Sequence, residues 1–338
     1  MILACDVGGT KTNVALLQSN GAALEIVRFE SYQSREHASL DEIIDAFFGA
    51  GAIPLEAAGF GVAGPVIGGR ATTTNLPWLI DARQLADRFG LPAVALLNDV
   101  EAHAWAVDRL TGTDLLTLQP GSSEVGNVAI VAAGTGFGVA ALLRSAGTAV
   151  SLASEGGHAD FAARSAIEAD LLGFLRSRFG RVSVERVLSG PGLVHVYEFL
   201  RESEGSGEPE WLGADMAAGA APAAISRAAV SGRSETCAHA LDLFLELYGA
   251  EAGNWALRTM ATGGVYLGGG IAAKLLGASS GASDAWRQRA TALFLKGFVE
   301  KGRFRPMLEA MPVRVIVNEN APLIGAARCA VTTRAARR

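Results

Sequence analysis

Ile2-Leu3-Ala4-Cys5-Asp6-Val7-Gly8-Gly9-Thr10-Lys11-Thr12-Asn13-Val14-Ala15-Leu16-Leu17 is an apolar run, a polar glycine bend and a second apolar run. The pattern predicts a strand, a tight Gly turn and a returning strand. Such a bend gathers several backbone N–H groups and a hydroxyl around one point, which is what an anion such as phosphate requires. The same plan recurs at Val128-Ala129-Ile130-Val131-Ala132-Ala133-Gly134-Thr135-Gly136-Phe137-Gly138-Val139-Ala140-Ala141-Leu142-Leu143, with Thr135 lying 125 residues after Thr10. Two such turns facing each other would hold a nucleotide's phosphates between two similar domains.

Between and beyond the two bends, strand and helix patterns alternate. Ser39-Leu40-Asp41-Glu42 fits a capping box ahead of a helix with Ile43, Ile44, Phe47 and Phe48 on its apolar face. Ala58–Ala63 reads as a strand broken at Gly64-Pro65, and Val94–Leu97 as a short buried strand running into Asn98-Asp99 and a helix. After the second bend the chain turns helical. A capping box at Ser165-Ala166-Ile167-Glu168 is followed by a long amphipathic pattern over 236–260. Val265–Leu267 is a buried strand ending at Gly268-Gly269-Gly270, Val313–Val317 is a last strand, and a helix from about Pro322 closes the sequence. The segments Ser203–Glu210 and Gly277–Asp284 read as surface loops. This alternation favours an α/β layer architecture.

Composition sets outer limits. The 338 residues are 50% hydrophobic and 19% charged, enough for a full core and about two domains. A net charge of −5 without a basic tract argues against nucleic acid as the main partner. Any anionic ligand must therefore be met by local N–H groups or a metal ion. Cys5, Cys237 and Cys329 are scattered and form no C-x-x-C pair, so buried reduced thiols are expected rather than disulfides or zinc. No basic leader precedes the first strand and no apolar run reaches membrane length, so a cytoplasmic location without a membrane span is expected.

Five places carry candidate chemistry. Asp6, at a strand end beside the first bend, can orient Mg²⁺ directly or through water. The sequence holds no G-x-x-x-x-G-K-[ST], which excludes a P-loop as the phosphate device. Gly134-Thr135-Gly136-Phe137-Gly138 is followed by strand-like sequence and not by a helix, which counts against a dinucleotide fingerprint. Asn98-Asp99 lies at a strand-to-helix junction. There Asp99 is either a helix cap or a carboxylate that takes a proton from a hydroxyl, with Asn98 bonding to neighbouring hydroxyls. Glu155-Gly156-Gly157-His158-Ala159-Asp160 suits a polyol loop, in which a carboxylate accepts from hydroxyls and an imidazole N–H donates; His158 is equally compatible with a structural role. Gly268-Gly269-Gly270 is either a packing turn or backbone lying flat against a nucleotide's base and ribose.

Taken together these motifs resemble the bacterial glucokinases of the hexokinase–actin–Hsp70 superfamily, nearly end to end. The most specific segments are Glu155-Gly156-Gly157-His158-Ala159-Asp160-Phe161 and Glu185-Arg186-Val187-Leu188-Ser189-Gly190-Pro191-Gly192. The resemblance implies a two-domain, actin-like ATPase fold related to ribonuclease H. It implies a deep cleft between a small α/β domain (1–108 plus about 322–338) and a large one (109–321), with the C-terminal helix returning to the first. It implies that Asn75, Asn98, Asp99, Glu155, His158 and Glu185 hold glucose, with Asp99 as base at the 6-hydroxyl. Gly8, Gly9, Thr10, Thr135 and Gly136 would hold the phosphates of ATP, and Gly268 and Gly269 would border the adenosine. ATP, Mg²⁺ and a homodimer follow from the same resemblance. Two departures bear on placement within the superfamily. The first bend reads Gly-Thr-Lys-Thr-Asn where many of these glucokinases have Asn-Ala-Arg after the Thr. Lys11 is similar to the related repressor/kinase sugar kinases, whose cysteine-rich zinc motif is not found after His158. Other acceptors (mannose, fructose, N-acetylglucosamine, N-acetylmannosamine), other donors (polyphosphate, ADP) and a non-enzymatic sugar-responsive regulator stay open at this point.

Overall fold

The computed structural model describes residues 1–20, 23–49, 51, 53–73, 76–122, 125–277 and 283–335. The chain forms two compact units, one of residues 1–115, 140–153 and 318–338, the other of residues 116–139 and 154–317.

The first unit begins with β1 (Ile2–Val7), β2 (Lys11–Asn20) and β3 (Ala23–Gln33), followed by α1 (Leu40–Phe48) and β4 (Ala57–Val62). A small antiparallel sheet, β5 (Val66–Ile67), β6 (Arg70–Thr72) and β7 (Leu79–Asp81), comes next. Then come α2 (Ala82–Phe89), β8 (Ala95–Asn98) and α3 (Asp99–Ala106). The main sheet runs β3-β2-β1-β4-β8. Within it β1 and β2 form the expected hairpin, while β1, β4 and β8 are parallel. Parallel strands are buried on both faces, which is why Ile2–Cys5 and Ala57–Val62 read as continuous apolar runs. Ser39 caps α1 by accepting from the Glu42 N–H, as the capping-box reading requires, and the Glu42 carboxylate accepts from the Ala38 N–H.

The second unit holds most of β9 (Leu115–Gln119), β10 (Val128–Ala133) and the start of β11 (Phe137–Ser145). The rest of β11 and β12 (Thr148–Leu152), an antiparallel pair, count with the first unit. The remaining elements are α4 (Ala166–Phe179), α5 (Gly190–Ser203), α6 (Glu210–Asp215), α7 (Ala221–Val230), α8 (Glu235–Thr259), β13 (Gly264–Gly268), α9 (Gly269–Leu276), α10 (Asp284–Val299), α11 (Arg305–Ala310) and β14 (Val313–Ile316). β10, β13 and β14 are parallel neighbours. A core of Phe244, Tyr248, Phe294 and Phe298 packs where α8 meets α10. The reading of 236–260 as one long amphipathic helix matches α8. Most of the Gly277–Asp284 loop reading falls outside the described residues.

The last helix, α12 (Ala321–Ala335), packs on α3, β1 and β4 of the first unit. Small residues permit this approach. A Cβ on Gly325 would lie 1.7 Å from the Ala102 carbonyl oxygen, and one on Gly59 would lie 2.1 Å from the Ala326 carbonyl oxygen. Gly325→Ala is therefore expected to force α12 off α3 and to cost about 1–3 kcal/mol or more, as overpacking does. Denaturant unfolding would measure the loss. All three cysteines are buried and free, as expected from their spacing. Among the described residues no helix is long and apolar enough to cross a membrane.

Candidate active site

In the first unit the candidate residues collect at the carboxyl ends of the parallel strands β1, β4 and β8, where ligands bind in open α/β sheets. Asp6 pairs in register with Gly61 of β4, and Asn98 with Val62. The first phosphate bend is closed by the Gly8 N–H donating to the Lys11 carbonyl at 2.9 Å. The Lys11 side chain is exposed. A partner that sequence reading missed braces this bend from 26 residues away. Ser34 is fully buried, donates through Oγ to the Gly8 carbonyl at 2.7 Å, and lies 2.9 Å from Thr12 Oγ1. Its N–H donates to the Thr10 carbonyl. No local signal marks Ser34, because the contact exists only once β3 returns beside β2.

Geometry assigns the cap at the β8–α3 junction. Asn98 is the cap: its Oδ1 accepts from the Val100 N–H at 2.9 Å, and its Nδ2 donates to the Gly64 carbonyl at 3.1 Å. Glu101 completes the capping box by accepting from the Asn98 N–H. Asp99 follows as the first residue of the helix, half-buried, and its Oδ1 shares the Val100 N–H with Asn98, also at 2.9 Å. Desolvation raises the Asp99 pKa above the ordinary carboxylate range, and the charge on Asp6 adds to the rise. Asp6 is raised as well, chiefly by desolvation, while His103 and a 3.4 Å hydrogen bond from Asn13 Nδ2 act in the opposite sense. His103 lowers both carboxylates. It stands one helical turn beyond Asp99, with Nδ1 3.1 Å from the Asp99 carbonyl oxygen. It too was missed, although its i, i+4 spacing from Asp99 was a usable signal.

In the second unit the loop after β10 mirrors the first bend. The Gly134 N–H donates to the Gly136 carbonyl at 2.8 Å, and the Gly190 N–H at the start of α5 donates to the Gly134 carbonyl at 2.8 Å. Glu185 is half-buried and accepts from the Phe137 N–H at 2.9 Å through Oε2. A Cβ on Gly136 would lie 2.6 Å from that oxygen. The carboxylate therefore joins the second phosphate loop to the Glu185–Gly192 segment. Glu155 and His158 are exposed; Glu155 precedes and His158 ends a single 3-10 turn, Gly156–His158, with Gly157 buried against the Phe137 carbonyl. A cavity of about 320 Å³ is lined by Thr135, His158, Arg181, Ser183, Glu185 and Ser189, among others. It brings one phosphate-loop residue and two of the expected sugar ligands into a single pocket. Gly268 and Gly269 sit at the end of β13, beside the end of β10. Gly269 has φ +77°, and a Cβ there would lie 2.4 Å from the Ala133 carbonyl oxygen, so the packing-turn reading accounts for this glycine. Asn75 lies outside the described residues.

Among the described residues there is no group of three or more His, Cys, Asp and Glu side chains arranged to hold a metal. Asp6, a carboxylate at the end of β1 whose pKa is raised by desolvation, is nonetheless the kind of oxygen donor that a hard divalent cation takes.

Two α/β units, each with a glycine bend at the carboxyl ends of parallel strands, define an actin-like ATPase fold. Comparison with known proteins agrees. A glucokinase family model matches residues 3–333. A glucokinase from Nostoc sp. is 41% identical over 98% of both chains, and one from Photorhabdus laumondii is 35% identical over 96% of this chain and 94% of its own. The crystal structure of a glucokinase from an Antarctic psychrotroph superposes with a TM-score of 0.84 at 30% identity, covering 98% of both chains. A ROK family glucokinase from Streptomyces griseus, solved with glucose and AMPPNP, shares the fold at 20% identity, with a TM-score of 0.63 over 98% of this chain and 99% of its own. The chain belongs to the glucokinase family.

Proposed function

We propose that this chain transfers the γ-phosphoryl group of ATP to the 6-hydroxyl of D-glucose, with Asp99 as the base. The observation that supports the assignment of the base is Asp99 itself, a half-buried carboxylate set at the strand ends beside Asp6, next to an Asn98 that serves as the cap of α3. Phosphoryl transfer passes through a loose transition state, so catalysis is mostly positioning and charge neutralisation. Asp99 holds the hydroxyl in line and takes its proton late. Glu155, His158 and Glu185 bind sugar hydroxyls, joined by Asn75 and by the remaining N–H of Asn98. Gly8, Gly9, Thr10, Thr135 and Gly136 present N–H groups and hydroxyls to the phosphates, and Gly268 and Gly269 border the adenosine.

Mg²⁺, held by Asp6 directly or through water, would neutralise charge on the outer phosphates, with phosphate oxygens and waters completing its shell. For domain organisation we retain 1–108 with about 322–338 against 109–321. The compact units support that division except at 109–115, 140–153 and 318–321, which group with the first unit. A homodimer is proposed on the family resemblance alone. The test is a coupled assay across hexoses, N-acetylhexosamines and the donors ATP, ADP and polyphosphate. The highest kcat/KM is expected for D-glucose with ATP. Absence of any sugar-stimulated ATP consumption would overturn the kinase reading, and preference for another sugar would overturn the glucose assignment.

A further inference from the structure

We propose that Arg181 is a positioning residue of the sugar site, orienting His158 through the backbone of the loop that carries it. The inference rests on the reading of His158 as a sugar ligand. Arg181 directly follows Gly180, the glycine that ends α4, and lines the same cavity as His158 and Glu185. Its Nε lies 2.8 Å from Asp160 Oδ1, and its Nη2 donates to the carbonyl oxygen of His158. One guanidinium plane thus engages both sides of Ala159.

The surrounding backbone shows why such a clamp has work to do. The sugar loop is laddered to the segment after Arg181 by the Phe161 N–H to the Val182 carbonyl (3.0 Å) and the Val184 N–H to the Ala159 carbonyl (2.9 Å), with Asp160 opposite Ser183. The ladder starts at Ala159. The 3-10 turn just before it, Gly156–His158, lies outside this ladder; Gly157 packs against the Phe137 carbonyl, and His158 at the end of the turn is reached by Arg181. The N–H groups of Gly156, His158 and Ala159 bond within residues 154–156, and the Arg181 guanidinium reaches across to the His158 carbonyl.

Burial separates an orienting role from a stabilising one. Arg181 and Asp160 are largely exposed, with side-chain accessibilities of 62% and 79%, and exposed ion pairs add little to fold stability. A rigid planar fork held at two acceptors, however, fixes direction in a way a flexible ammonium does not. Loss of Arg181 should therefore weaken sugar binding equally in ground and transition states, raising KM while sparing kcat.

The experiment is steady-state kinetics with D-glucose and ATP for Arg181→Ala, Arg181→Lys, His158→Ala and the double variant Arg181→Ala/His158→Ala, with melting temperatures alongside. For Arg181→Ala the KM for glucose is expected to rise about tenfold, with kcat within roughly twofold and the melting temperature nearly unchanged. Arg181→Lys, a single-point donor, should recover only part of the loss. In the double variant, Arg181→Ala should add nothing to the effect of His158→Ala, because it acts through that residue. An unchanged KM in Arg181→Ala, or losses that multiply in the double variant, would overturn the positioning role. An unchanged KM in His158→Ala would instead remove the sugar-ligand reading on which it rests.

Discussion

Asp99→Asn is expected to lower kcat by roughly 10²–10⁴-fold, the range for loss of a general base, while glucose binding measured by calorimetry stays within a few-fold of the parent. The amide keeps the shape and the first-turn position on α3 but cannot take the proton. A second consequence separates this variant from one that merely damages the fold. Desolvation and the Asp6 charge raise the Asp99 pKa, so the folded protein holds the proton more tightly than the unfolded chain does. The penalty for ionising this group is absent below the unfolded carboxylate pKa. It grows as pH rises towards the folded value and is fully present above it. At neutral pH the neutral amide removes that penalty, and the variant should melt at or above the parent temperature. Activity and stability thus move in opposite directions. The parent's kcat/KM should also fall on the acid side at a higher pH than an ordinary carboxylate would give. Near-parental turnover in a folded Asp99→Asn protein would exclude Asp99 as base.

Gly157→Ala is expected to be the most damaging single methyl group in the sugar loop. Its Cβ would lie 1.8 Å from the Phe137 carbonyl oxygen, and that neighbour is backbone, which cannot swing aside. Either the Gly156–His158 turn lifts away or the start of β11 moves. The first displaces Glu155 and His158. The second disturbs the Phe137 N–H that Glu185 accepts. A destabilisation of about 1–3 kcal/mol is expected from overpacking, together with a rise in the KM for glucose of tenfold or more. Gly134→Ala is the internal control, since nothing lies within 4 Å of a Cβ there. Its melting temperature should stay close to the parent's, and equal melting of the two variants would contradict the steric argument.

Much of this molecule was legible before folding because its signals are local. The two hairpins announced themselves as apolar runs around Gly-Thr bends, and the Rossmann alternative failed on the strand that follows Gly136, now seen as β11. The capped starts of α1 and α4 are set by residues within four positions of each other. The chemistry at Asn98-Asp99 was half legible. The pair was visible, but which residue caps depends on backbone angles and on the Gly64 carbonyl 34 residues away.

What sequence alone determined was the set of reactive groups and the strand-and-turn elements that present them, because periodicity and turn chemistry act over a few residues. Tertiary structure decided how those groups are held. Ser34 reaches the Gly8 bend only because β3 returns beside β2, and Glu185 meets Phe137 only because Gly136 lacks a side chain. Arg181 grips His158 only because the two segments pair. Each of these contacts joins residues more than twenty positions apart, and closing such loops is set by packing of the whole unit rather than by any local preference.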